Sequence, residues 1–337
     1  MTAVVEQPPA PPAVAKGSLL RAEAHRFRAR RFIQVLLLLA VVGWLFAVVI
    51  GLLNFGEPTD ADLAGARQRI EQEVAFQQDF REECLADESI PQGQCPPVMT
   101  ADDFRVEDFV ARSPFDLGTA GEGGALGFGA AAAVLAFLIG ATWIGAEWST
   151  RSLVALLFWV PQRLKVMGVK LAVLAVAAGL LGVAMQALWL AMAGILDTVA
   201  GSGNALPAGF WGDLFAVQGR AVLLAVLTAL AGFGLANLTR NTGAALGVGF
   251  VYFAIVETAI RILRPAWEPW LLSNNAVALL APGGITVYVP GEGTGRGGFA
   301  ESVPYLIGNV QAGLVLGVVC AVVIGLGVVL FVRRDIH

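Results

Sequence analysis

Long uninterrupted apolar runs, not alternation of polar and apolar positions, dominate this chain. A helix needs about 20 apolar residues to carry a self-bonded backbone across a hydrocarbon layer roughly 30 Å thick. Six runs qualify: residues 32–53, 124–144, 171–196, 221–238, 242–260 and 312–332. Only the fifth holds a formal charge, Glu257. Between the spans lie weaker patterns. Residues 18–31 put Leu20, Ala24 and Phe27 on one helical face with bases around the rest, which predicts an amphipathic helix in the headgroup plane. The Pro- and Ala-rich residues 1–17 before it read as a disordered tail. In the 54–123 loop, Leu63, Ala66, Ile70, Val74 and Phe80 recur near helical spacing, and Thr100 opens a second predicted helix over 100–111. Runs 153–160 and 271–280 are too short to cross and read as helices lying at the two membrane surfaces. The predicted fold is an all-α integral membrane protein with six transmembrane helices and a helical outer insertion between the first two.

Composition narrows the class further. Of 337 residues, 57% are hydrophobic and only 14% charged, against about 25% charged in soluble domains; the mean hydropathy is +0.71. An ordinary cytoplasmic enzyme, a nucleic-acid binder and a disordered scaffold are excluded. The net charge of −4 says little by itself, but the charges are segregated along the chain. Lys16, Arg21, Arg26, Arg28, Arg30 and Arg31 precede the first span; Arg151, Arg163, Lys165 and Lys170 fall in the 145–170 loop, Arg240 between spans four and five, and Arg333 and Arg334 after the last. The 54–123 loop holds 16 acids against 5 bases. By the positive-inside bias both termini are cytoplasmic and the acidic loop lies outside, in a multi-pass protein of the cell (plasma or inner) membrane.

The catalytic inventory is nearly empty. The two histidines, His25 and His337, lie in the tails and offer no metal site or triad. No Walker-type phosphate loop and no nucleophile elbow occurs, so neither a catalytic residue nor a bound metal is expected. Cys84 and Cys95 share the outer loop on the oxidising side, where a disulfide is expected, two free thiols being the alternative. Cys320, in the last span, reads as a packing residue. Arg220 and Glu257 can reach similar depth on neighbouring helices and are expected to form an ion pair near the outer leaflet, structural in role. In the 261–309 loop Trp267 and Trp270 suit the headgroup zone, while the glycine-rich 291–298 resembles a nucleotide loop in composition only.

The informative stretch is the 145–170 loop, GAEWSTRSLVALLFWVPQRLKVMGVK. An acid, Glu147, ends one span; an eight-residue apolar core follows Arg151; then come Pro161, Arg163 and a lysine, Lys170, before the next span. This order resembles the permease subunits of type-2 ABC transporters: acid, a small polar pair, an apolar helix, Pro-x-Arg, and a lysine opening the third span. The match departs at Arg151, where that family commonly has glycine. The closing FVRRDIH is similar to the family's usual end. The resemblance implies a coupling helix docking on a separate cytoplasmic ABC ATPase, with Glu147, Trp148, Arg151, Ser152, Leu156, Leu157, Pro161 and Arg163 carrying the contact. It also implies a second permease chain, identical or not, and ATP with Mg on the partner. Gly243/Gly247 and Gly313/Gly317 are spaced for close helix approach. The expected function is ATP-driven export of a hydrophobic or amphiphilic compound such as a lipid, peptide or antibiotic. The alternative is a stand-alone facilitator, immunity or sensor protein without an ATPase.

Overall fold

The computed structural model describes residues 16–87, 94–110, 112–294 and 300–333. Residues 1–15 of the expected disordered tail, 295–298 of the glycine-rich run and the chain end from Arg334 lie outside them; Lys16 and Gly17 already belong to the first helix.

In chain order the elements are α1 (Lys16–Arg28), α2 (Arg31–Asn54), α3 (Asp60–Ala86), α4 (Leu117–Ser149), α5 (Ser152–Trp159), α6 (Arg163–Ala200), α7 (Phe210–Thr239), α8 (Thr242–Val251), α9 (Glu257–Leu263), α10 (Leu272–Leu280), β1 (Ile285–Thr294), β2 (Ala300–Ile307) and α11 (Asn309–Arg333). Six helical segments are long and apolar enough to cross a membrane: α2, α4, α6, α7, Thr242–Leu263 and α11. They fit a predominantly helical multi-pass membrane protein. The helices outrun the apolar runs that predicted them. α6 starts at Arg163 rather than 171, so the expected 145–170 loop is almost wholly helical, broken only at 150–151 and 160–162. Thr242–Leu263 is not uniformly α, since Tyr252–Val256 form a π turn of the kind often placed at functional positions.

Burial separates the spans. In their apolar windows α4, α6 and α7 are 44%, 44% and 50% buried, against 11%, 6% and 17% for α2, Thr242–Leu263 and α11. The second group therefore offers its apolar faces to lipid or to another chain. The chain divides into two compact units.

The first unit comprises Met1–Ala40, Glu122–Ala187 and Trp211–His337. Glycines set its tightest packing: a Cβ at Gly140 of α4 would overlap the Ala229 carbonyl of α7, and one at Gly232 of α7 would meet the Phe137 carbonyl of α4 at 2.5 Å. Further along α7, Ala221 and Leu224 join Ala278, Leu279 and Leu280 of α10, Ile307, and Ala312 of α11 in one cluster. α10, expected at the outer membrane surface, has five buried residues, Asn274 and Asn275 among them. The two asparagines permit this by bonding carbonyls: Asn275 donates to Pro269 and Leu271, Asn274 to Glu268. Within the described residues after α10, β1 and β2 form an antiparallel pair, Ile285 opposite Ile307 and Val289 opposite Val303. Gly284, at φ 98°, sits where a Cβ would strike the Ile307 carbonyl.

The second unit comprises Val41–Gly121 and Leu188–Phe210. α3 begins with a capping box in which Thr59 and Asp62 exchange bonds; these bonds hold the Asp62 carboxyl below the usual carboxylate range. The second predicted helix, 100–111, is instead two 3₁₀ turns, Ala101–Asp103 and Val106–Asp108. Each turn ends on a phenylalanine, Phe104 and Phe109, and these rings pack edge to face at 5.6 Å. Arg69 of α3 donates to the Phe109 carbonyl at 2.9 Å. A disulfide joins Cys84 and Cys95. Phe115, 1% exposed, bonds through its backbone to Ala200 and Ser202, and Asp116 accepts from Asn204 at 2.7 Å.

Candidate functional site

The site grows from the break between α4 and α5. α4 ends where Thr150 caps back on Ala146 through both its backbone N–H and its hydroxyl. Arg151 then takes φ 54°, ψ 14°, the left-handed region. This is the position at which the resembled family commonly has glycine, and left-handed backbone is what glycine adopts without steric cost. α5 closes at Val160, whose φ −131° and ψ 88° fit a residue held out of the helical region by the proline after it. Eight residues leave two helical turns with distinct faces. Leu153 and Leu156 are buried, Leu157 is half-buried, and Arg151, Ser152 and Pro161 are exposed. Phe158 and Trp159 are 84% and 86% exposed, the two most exposed large hydrophobic side chains among the described residues. The adjacent phenylalanine and tryptophan leave one face of α5 uncovered by the rest of the chain.

Behind α5 lies a buried ion cluster. Lys170 of α6, 0% exposed, places its Nζ 2.6 Å from Glu23 Oε2 and 2.8 Å from Glu147 Oε2. Glu147 also accepts from Arg30 at 3.0 Å, and Glu23 from Arg26 at 3.3 Å. The ammonium sits 5.0 Å over the Trp143 ring, which meets Phe27 of α1 edge to face at 5.1 Å. One lysine thus bridges two carboxylates from separate elements, joining α1, α4 and α6 around the α5 turn. Buried charges persist when paired and bonded in this manner.

A second set of contacts surrounds Trp148. Its indole N–H donates to Asn237 Oδ1 at 3.0 Å, Arg240 stacks on its ring at 4.6 Å, and Phe331 of α11 approaches edge-on at 5.8 Å. Arg240 is the other non-glycine residue at positive φ among the described residues, at the α7–α8 turn, and Asn241 caps α8 by accepting from Ala244. Arg163 donates to the Phe331 and Val332 carbonyls, at 3.2 and 3.0 Å, covering the end of α11.

The residues expected to carry coupling therefore separate by position. Glu147, Trp148 and Arg163 make contacts within the chain that fix the α5 turn to α1, α6, α7 and α11. Arg151, Ser152 and Pro161 stay on the surface with Phe158 and Trp159, which the sequence reading did not single out. Glu23 was missed as well. The amphipathic reading of α1 set Leu20, Ala24 and Phe27 on one face for the headgroup plane; Leu20 and Ala24 are exposed and Phe27 half-buried, while Glu23, off that face, is 1% exposed. The available signal was a single acid among five arginines over residues 19–31, one helical turn before Phe27.

The structure does not bring Arg220 and Glu257 together. Arg220 donates to Asn309 Oδ1 at 3.2 Å, and Asn309 in turn donates to the carbonyls of Ala278, Leu279 and Ala281. Glu257 accepts from the Ser273 backbone N–H at 3.1 Å and from its hydroxyl, with Arg261 at 3.8 Å. The carboxylate meets the N-terminus of α10, where unsatisfied N–H groups favour negative charge. A similar expected depth does not fix the direction in which each side chain points. Of the glycine pairs, Gly247 and Gly317 face open space while Gly313 meets Leu279.

Comparison with family models, curated proteins and solved structures gave no match to the chain.

Proposed function

We propose that this chain is the membrane-spanning permease subunit of an ATP-driven exporter of the type-2 ABC kind. It works as a pair of permease chains with a separate cytoplasmic ATPase that carries ATP and Mg. The observation that supports the reading most strongly is α5: two turns between candidate spans, apolar on the buried face, and ending on an exposed Phe158–Trp159 pair. In this reading both termini and α5 face the cytoplasm, in keeping with the basic residues at that end.

The geometry suits transmission of force. A partner gripping Phe158 and Trp159 pulls on a helix whose buried face is packed by Leu153 and Leu156. Glu147 and Lys170, on the helices before and after it, are joined by an ion pair, so α4 and α6 move with α5 rather than past it. Glu23 and Arg30 carry the displacement to α1 and the start of α2, and Trp148 carries it to α7 and α11. Cargo passes between the two permease chains, along the exposed apolar faces of α2, Thr242–Leu263 or α11, which favours a hydrophobic or amphiphilic compound.

The test is reconstitution in vesicles with the ATPase expected to co-purify with this chain. Cargo-stimulated ATP hydrolysis is expected from the native pair, and its loss is expected from Phe158→Ala with Trp159→Ala, which trims only exposed side chains. Transport by this chain alone, without nucleotide, would overturn the proposal and favour a stand-alone facilitator.

A further inference from the structure

An apolar groove of about 370 Å³ runs between α2, α4 and α6, within the size range of ligand sites. Phe27 of α1 lies at one end, Ile33 and Leu37 of α2 form one wall, and Ala136 of α4 with Ala177 and Ala184 of α6 leave the space open. Ile33 and Ala136 are buried, whereas Ala184 and Leu37 are exposed, so the groove is open along one side and a chain can enter it laterally. The basic stretch of chain that runs past its Phe27 end is the second observation. Residues 19–31 carry five arginines against one acid. Glu23 and Glu147 occupy Arg26 and Arg30. Arg28, directly after Phe27, and Arg31, two residues before Ile33, are exposed and have no acid partner among the described residues. Cations left unmatched beside an opening that is apolar throughout complement an amphiphile with a negative head.

We propose that this groove binds one anionic phospholipid, an acyl chain lying against Ile33, Leu37 and the alanines and the phosphate accepting from Arg28 and Arg31. Guanidinium groups suit phosphate oxygens through paired, charge-assisted bonds, and basic residues flanking a span favour anionic lipid. The bound lipid then fills a seam between α1, α2 and the core helices, independently of any ATPase.

The test uses the full-length protein purified in detergent and offered phosphatidylglycerol and phosphatidylcholine of identical chains, with retained lipid counted by native mass spectrometry. One phosphatidylglycerol is expected to remain, with phosphatidylcholine retained at least about tenfold less. Arg28→Gln with Arg31→Gln should weaken phosphatidylglycerol about 30-fold, about fivefold for each base, without changing phosphatidylcholine. Ala184→Phe, which fills the groove from its exposed wall, should abolish retention while Ala184→Ser preserves it. Equal retention of the two lipids, or unchanged phosphatidylglycerol in Ala184→Phe, would overturn the proposal. So would conversion of a dimer to monomer by Ala184→Phe with lipid unaffected, which assigns the groove to a second copy. Displacement of the lipid by an equal concentration of inorganic phosphate would overturn it too, assigning the arginines to a free anion.

Discussion

Replacing Lys170 by methionine removes one charge and leaves two carboxylates facing each other inside the protein. Glu23 is 1% and Glu147 3% exposed, and each loses a partner lying at 2.6 or 2.8 Å. At an effective dielectric of about 20, each contact represents roughly 6 kcal/mol of attraction, set against desolvation of the three ions. Breaking a buried pair by deleting one member costs on the order of 3–5 kcal/mol; Arg26 and Arg30 still reach Glu23 and Glu147, but the repulsion between the two carboxylates loses the lysine that offset it. Lys170→Met should therefore lower stability by about that amount. The triple change Lys170→Met, Glu147→Gln, Glu23→Gln removes the stranded charges and should recover more than half of the loss, a non-additivity expected of residues in one network. The assay is denaturant unfolding in detergent micelles, followed by Trp143 fluorescence in a variant lacking the other tryptophans. If Lys170→Met is as stable as the native chain, or the triple change is worse than the single, the cluster does not hold α1 to α4 and α6.

Reducing the Cys84–Cys95 bridge, or replacing both cysteines by serine, should destabilise the α3 region by about 3 kcal/mol from loop-closure entropy. Hydrogen exchange should rise in α3 and at 94–110. At position 151, Arg151→Gly should change stability by less than about 1 kcal/mol, while Arg151→Val, which puts a β-branched side chain at φ 54°, should cost about 1–3 kcal/mol in thermal unfolding. Asp116 is held below the usual carboxylate range first by Asn204 and then by the Thr119 and Gly118 backbone N–H groups. Its stabilising contribution is present above the unfolded value of about 3.9 and is lost as pH falls through the lowered one. Exchange at 112–120 and 200–204 should accelerate below about pH 4, and Asn204→Ala should remove much of that pH dependence.

The six spans were legible because length and hydropathy alone decide them. So was α5, whose boundaries are written as Arg151 and Pro161 around an apolar octet. What escaped was side-chain direction. Glu23 sits among bases, where solvent is the ordinary place for an acid, and only the packed structure shows it beneath Lys170. Arg220 and Glu257 were expected to pair, but the direction of each depends on Asn309 and on α10, whose burial no periodicity revealed. The β1–β2 pair had a visible signal in the β-branched run Ile285, Thr286, Val287, Val289, which the glycines and prolines around it obscured. The 3₁₀ turns at 101–108 failed as a helix because two phenylalanines and Arg69 reward a tighter, bent path.

The proposed role stands on what touches α5. A photoreactive phenylalanine analogue, placed in turn at positions 158, 159 and 253 and activated in the cells that natively make the protein, tests it most directly. The predicted adduct is a protein bearing a phosphate-binding loop, formed at Phe158 and Trp159 but not at Phe253 of the fifth span. An adduct with lipid alone, or with a protein on the opposite side of the membrane, would contradict the account.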